Sequence, residues 1–238
     1  MNTTIASITW RAMVGRRRAG LLIALPLVLL VLAVTLRLTG VADTESAGVV
    51  LGAFALGTLV PLLGLIIGTG VIAPEIDDGS VVYLLAKPIS RHTIVLTKLA
   101  VAVACVVVFA VVPTLVAGLV MTGDERGLAL AYAVGTLVGG VAYCALFLLL
   151  GVLTKHAVVV GLLYALLWET LIGGYVPGAR TLSIQQWAVS VTGAVAQDGA
   201  VATDVSLAVA LPLLAVVIVG GTLLAGHRLR SLTLAGDD

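Results

Sequence analysis

The chain has 238 residues, 61% hydrophobic and 11% charged, with a mean hydropathy of +1.21. About a quarter of an average soluble domain is charged, so this composition cannot hide its apolar surface from water, and lipid must be the solvent for much of it. A net charge of +1 leaves no basic face for nucleic acid.

Residues 1–18 come first. Ile5, Ile8 and Ala12 fall on one helical face, with Trp10 and Met13 near its edge; Arg11, Arg16, Arg17 and Arg18 gather at its C-terminal end. This pattern predicts a helix lying in the membrane interface, with a short tail of anchoring positive charges as the alternative. The apolar run that follows is too long for a secretory signal peptide, and no small-residue cleavage site follows it.

A helix needs about 20 apolar residues to cross the ~30 Å hydrocarbon core. Six stretches qualify: residues 19–39, 49–73, 94–121, 128–153, 157–175 and 205–226. Backbone groups in lipid must bond internally, and the alternation of a membrane barrel is absent, so the fold class is an all-α integral membrane protein with six transmembrane helices. No internal repeat or low-complexity run divides the chain, so residues 1–238 are expected to form a single transmembrane domain. Pro26, Pro61, Pro113 and Pro212 fall inside spans one, two, three and six, where each removes a helical hydrogen bond and permits a kink. Gly135 and Gly139 in span four form a G-x-x-x-G that allows close helix approach, read as internal packing in preference to a dimer seam. Cys105 and Cys144 lie in apolar runs and read as small core residues.

Lys and Arg placement sets the orientation. With the N-terminus inside, ten of the 13 basic residues are inner: Arg11, Arg16, Arg17, Arg18, Lys87, Arg91, Lys98, Lys155, Arg228 and Arg230. Arg37, Arg126 and Arg180 are outer, among the acids Asp43, Glu45, Asp124, Glu125, Asp198 and Asp204. Both termini are therefore expected in the cytoplasm. Lys98, in the first turn of span three, is expected to snorkel back to the surface.

One acid lies within a span. Glu169 is about 18 Å along span five from its inner end. An ionised group at that depth must face protein or water. It reads as a contact in a transport path, or as a structural carboxylate paired with Arg37 or seated beside Trp168. The extracytoplasmic segment 176–204 is too polar to cross, yet Ile184, Trp187, Val191 and Val195 share a helical face. A surface-lying or re-entrant helix is predicted there, covering the outer mouth of a path, or else a packed loop helix with Trp187 as an interfacial anchor.

The longest inner polar interruption is APEIDDGSVVYLLAKPISRHTIVLTK, residues 73–98. Gly79, after Asp77 and Asp78, permits a turn or a helix start. Val81, Leu84 and Leu85 then share a face, and Pro88 ends the helix. The product is a short helix along the membrane in the cytoplasmic loop 73–93, with acids before it and bases after it. Such a piece can seat an apolar ridge in a partner's groove, or simply connect two spans.

Chemistry of the chain's own is hard to find. There is no G-x-x-x-x-G-K-[ST], no H-E-x-x-H, no G-x-S-x-G and no metal-ligand spacing, and His92, His156 and His227 sit at separate inner span ends. No metal site and no catalytic residue is expected.

The loop carries a resemblance. Glu75, Gly79 and Ser80, then YLLAKPISR over residues 83–91, then Lys98, resemble the permease subunits of type-2 ABC exporters. The span number, inner termini and amphipathic start are also similar to that family, so the resemblance covers most of the chain. It departs at Ile76, where a basic residue often follows the acid, and at Thr97, where Gly often precedes the Lys. The resemblance implies that the loop helix is a coupling helix seated on a separate cytoplasmic ABC ATPase, which holds ATP and Mg, and that this chain is no enzyme by itself. Glu75, Gly79, Ser80 and Arg91 then belong to the coupling region, and the loop helix adds Asp78, Leu84, Leu85 and Pro88. Six spans imply half a transporter in the plasma membrane, completed as a homodimer or as a heterodimer with a second permease chain. The competing readings are a stand-alone secondary carrier or channel using Glu169, a non-transport membrane assembly subunit, and an intramembrane enzyme, for which no nucleophile or metal set is recognisable.

Overall fold

Proline and glycine punctuate this chain more than charge does, and both shape its helices. A computed structural model of the chain describes residues 6–7, 9–10, 15–77, 90–123, 127–172, 179–197 and 199–231. All regular structure among the described residues is helical. Five helices are long and apolar enough to cross a membrane: Ala19–Leu38, Thr44–Ile76, Arg91–Thr122, Leu128–Leu153 and Leu207–Leu229. The expected span beginning at Ala157 is described as far as Ile172, with a shorter apolar helix over Ala157–Glu169.

In chain order, α1 is Arg16–Leu38, already helical at the arginines expected to precede the first span. α2 is Thr44–Val49; its N-cap Asp43 accepts the Ser46 N–H at 2.7 Å, and the Ser46 hydroxyl accepts the Asp43 N–H in return, a capping box that starts the next long helix. α3 is Val60–Gly70 and α4 is Ala73–Asp77. α5 is Arg91–Val106, begun three residues before the expected span because the Ser90 hydroxyl caps the Thr93 N–H at 3.2 Å. α6 is Val112–Thr122, α7 Leu128–Leu153, α8 Ala157–Leu163, α9 Ile184–Val195, α10 Leu207–Ala215 and α11 Gly221–Ser231.

The prolines do more than kink. Wide π-helical turns over Val50–Leu59 and Val107–Val111 run into α3 and α6, whose second residues are Pro61 and Pro113. A proline ring collides with the carbonyl one turn back, and a wider turn moves that carbonyl aside. Pro26 lies inside a continuous α1. Two more π segments, Tyr164–Ile172 after α8 and Val216–Gly220 after α10, have no proline just downstream.

α7 is the centre of the bundle and packs on α3 and α9 above all, and also on α6, α11 and α5. Glycines permit this. A Cβ at Gly64 of α3 would lie 2.6 Å from Tyr143 Cβ, and one at Gly68 would lie 2.8 Å from Phe147 Cβ. On the α7 side, a Cβ at Gly135 would collide with Thr192 of α9, and one at Gly139 would touch Ala188 at 3.0 Å. The G-x-x-x-G of span four is thus an internal seam, and Gly64 and Gly68 form a second one. Cys105 and Cys144 are both buried and unbridged.

Candidate functional site

The chemistry-bearing side chains gather at two levels of the bundle. At one end lie Glu75 and Arg91, with Asp78, Gly79, Ser80, Leu84, Leu85 and Pro88 outside the described residues. Deeper in the bundle lies Glu169.

At the first level the chain breaks between α3 and α4. Pro74 brings no N–H, and the Glu75 N–H turns to Ile72 O at 3.1 Å. The Lys98 ammonium enters this break. It donates to Val71 O at 2.5 Å and to Glu75 Oε1 at 2.7 Å. Lys98 is 0% exposed and Glu75 26%. The lysine therefore does not snorkel, because the cheaper solution is a cation at the carbonyl end of α3 paired with a carboxylate on α4. Arg91 opens α5 nearby and is half-buried. His92 packs on Gly226 of α11, and Ile72 on Gly151 of α7, at this same end.

The second level is built around α9. Its register on α7 runs from Gln197 beside Gly127, through Thr192 on Gly135 and Ala188 on Gly139, to its N-terminus near Tyr143. From Leu128 to Tyr143, α7 descends about 22 Å. α9 therefore runs alongside α7 with its N-terminus deep in the bundle. Ile184, Trp187 and Val191 of the expected face are buried, while Val195 at the end is exposed. The Trp187 indole donates to Thr181 O at 2.8 Å, a buried packing role rather than an interfacial one.

A helix N-terminus carries unpaired N–H groups and partial positive charge, which are costly in a low-dielectric interior. Glu169 answers both. Its carboxylate accepts the Ile184 N–H at 3.0 Å, the Tyr164 hydroxyl at 3.1 Å and the Ser183 hydroxyl, and it is 3% exposed. Ser183 is itself the N-cap, accepting the Gln186 N–H at 3.2 Å. The wholly buried Tyr143 hydroxyl lies beside the same carboxylate. Phe147 stacks on Tyr143 at 5.8 Å and meets Tyr164 edge-on at 6.2 Å. Arg37 does not reach Glu169; its guanidinium donates to Met121 O at 3.5 Å. The Trp168 indole donates to Leu182 O at 3.3 Å, a second tie to the strand of chain that leads into α9.

Two further bonds hold α9 from its other side. Arg180 pairs with Asp204 at 2.7 Å, and the Ser190 hydroxyl donates to Val205 O at 2.7 Å. Alongside α9 a cleft of about 370 Å³ opens, lined by Glu45, Gly48, Gly52, Tyr132, Gln185 and Val201 among others. Part of its wall is α2 and the π-helical stretch that follows it, and Tyr132 donates to Gly48 O of α2 at 3.1 Å. Among the described residues no group of three His, Cys, Asp or Glu could hold a metal ion.

Sequence reasoning missed three things here. Lys98 reads as a surface base because its partner Glu75 is 23 residues away. Ser183 and Tyr164 carry no signal until α9 folds inward. Gly64 and Gly68 did carry one, the same G-x-x-x-G spacing that marked span four.

A protein-family model described as "ABC-2 family transporter protein" matches residues 54–224, from the π-helical stretch before α3 to within α11. No curated protein matches the chain.

Proposed function

The chain belongs to the ABC-2 transporter family, and from that premise we propose that it is the membrane-spanning permease of an ATP-driven exporter whose ATPase is a separate cytoplasmic subunit. The family is a membrane transport component and not itself catalytic. In this reading ATP and Mg are held by the partner, and the chain supplies the path and the handle.

The handle is the segment that follows α4. Asp78, Gly79, Ser80, Leu84, Leu85 and Pro88 form a coupling helix on the ATPase, with Glu75 and Arg91 at its two roots. The observation that carries this is the placement of Glu75: the polar loop leaves span two at a charged joint tied to span three. A pull on the loop there has a mechanical route into two spans. Six spans cross the plasma membrane, the fifth beginning at Ala157, and both termini are cytoplasmic. They act as one domain, residues 1–238, led by an N-terminal interfacial helix, and a second copy or a related permease completes the path. The re-entrant α9 stands at the outer half of that path and the cleft beside it is its outer mouth, with Glu169 holding the helix in place.

A stand-alone carrier that binds an ion at Glu169 fits less well. That carboxylate already accepts three hydrogen bonds from protein groups, whereas an ion site needs oxygens aimed at a vacancy.

The test is co-purification from a membrane holding the chain together with a candidate Walker-A ATPase subunit. Arg91→Glu and Asp78→Lys, which reverse charge on either flank of the coupling helix, should each strip the ATPase from the chain. Full assembly and undiminished ATPase activity in the double variant would remove the handle from this loop.

A further inference from the structure

Lys98 is an unusual place for a charge. It lies in α5 beyond its first turn, it is wholly buried, and the two groups it grips come from two other elements. One is Val71 O, at the end of α3. The other is the carboxylate of Glu75, in the first turn of α4. In a continuous helix Val71 O would accept the Glu75 N–H, but that N–H goes to Ile72 O, and Pro74 has none to give. The ammonium fills the backbone vacancy that the proline-broken turn creates. An ammonium has three donors on a point charge, so it can bond a carbonyl and a carboxylate at once.

We propose that Lys98 is a positioning residue for coupling: it locks the end of span two, the root of the inner loop and span three into one rigid joint, so that displacement of the loop moves both spans together. This rests on the reading of the loop as the ATPase handle. Three facts favour a transmission role over simple stability. The joint lies at the root of the loop, where force would enter. The break at Val71–Ile72 is a natural hinge, with a helix on either side and the Glu75 N–H shifted from Val71 O to Ile72 O. Moreover, a buried ion pair is seldom the most stabilising choice, since an apolar pair of similar volume is often as good or better. What it adds is a fixed register between elements.

Two measurements test it. The first uses the chain alone in nanodiscs and follows amide hydrogen exchange over residues 71–77. Lys98→Met should speed exchange there about tenfold or more, since it takes the Lys98 donor away from both Val71 O and the Glu75 carboxylate. Glu75→Gln, which keeps a neutral acceptor and leaves Val71 O gripped, should speed it less, and Lys98→Arg should restore most of the protection. The second uses the complex with the ATPase and a reporter thiol, Ala202→Cys, in the cleft at the opposite end; both native cysteines are buried. With Lys98 in place, vanadate trapping of nucleotide should change the labelling rate several-fold. In Lys98→Met that change should vanish while the ATPase still co-purifies and still hydrolyses ATP.

A Lys98→Met complex that keeps the full nucleotide-dependent change overturns the proposal, and so does unaltered exchange at residues 71–77. If Lys98→Met does not accumulate, the double variant Lys98→Met with Glu75→Gln removes the orphan charge, and the same two readouts decide. A native chain that binds no ATPase would sink the handle reading itself; the rigid joint then stands or falls on the exchange arm alone.

Discussion

Among the described residues Glu169 is the one acid deep in the bundle, and its surroundings say what it costs to remove. The carboxylate neutralises the N-terminus of α9 and takes the Ile184 N–H, the Ser183 hydroxyl and the Tyr164 hydroxyl. Glu169→Ala leaves these donors without an acceptor, so a loss of about 3 kcal/mol is expected. Glu169→Gln keeps an acceptor for the backbone N–H and forfeits the charge facing the helix end, a loss of about 1–2 kcal/mol. Tyr164→Phe deletes a single bond and should cost about 1 kcal/mol. Thermal unfolding in detergent, read by intrinsic Trp fluorescence, ranks the three; a Glu169→Ala protein as stable as the unaltered chain would refute the anchoring role. At the far rim Asp43 offers a pH handle. The Ser46 N–H it accepts, above all, holds its carboxyl below the usual carboxylate range. A depressed folded value means its contribution is whole above the unfolded carboxyl pKa and fades as pH falls through the folded one. Protection of the Ser46 amide should follow that course, and Asp43→Asn should flatten it.

Among the elements, glycine spacing decides which helices can touch. Gly64→Ala and Gly135→Ala each force a methyl into a neighbouring helix, on Tyr143 and on Thr192 respectively. Overpacking of this kind costs typically about 1–3 kcal/mol. Gly20→Ala meets nothing within 4 Å on α1 and should be neutral or slightly stabilising. Thr192→Ala should recover part of the Gly135→Ala loss because the two residues share one contact. The same denaturation series checks all four, and equal losses at Gly20 and Gly135 would contradict the packing described. These elements also mark how far the sequence could be read. Long apolar runs, the Ile184–Trp187–Val191 face and the Gly135–Gly139 pair were legible because local periodicity encodes them. The burial of Lys98 was not, since a base near a span end looks the same whether it snorkels or meets an acid on another helix. The depth of α9 was not either, because it depends on a register against α7 that no local pattern records. Nor were the π-helical turns, of which only the neighbouring Pro61 and Pro113 gave notice. Most of the residues expected to form a coupling helix, from Asp78 to Pro88, lie outside the described residues, so that expectation rests on the family resemblance.

On the scale of the whole molecule, the apolar surface left uncovered is as informative as the core. Leu21, Leu27 and Val31 on α1, and Leu211, Val216, Val219 and Leu223 along the helix from α10 to α11, are all more than half exposed. A soluble protein does not present such belts at full helix length, but a bilayer or a second permease welcomes them. The charges instead mark the two ends. Asp43, Glu45 and Asp204 lie with the cleft and α9, while Glu75, His92 and Lys98 lie at the other end. If positive charge marks the cytoplasm, then position 202 beside the cleft faces out and position 156 in the turn before α8 faces in. Both are exposed, and the two native cysteines are buried, so single reporters give a clean readout. Ala202→Cys should react with an impermeant maleimide on intact cells, and His156→Cys only after the membrane is opened. The reverse pattern would put the loop rooted at Glu75 and Arg91 on the wrong side for any cytoplasmic ATPase, and the proposed coupling would have no partner to reach it.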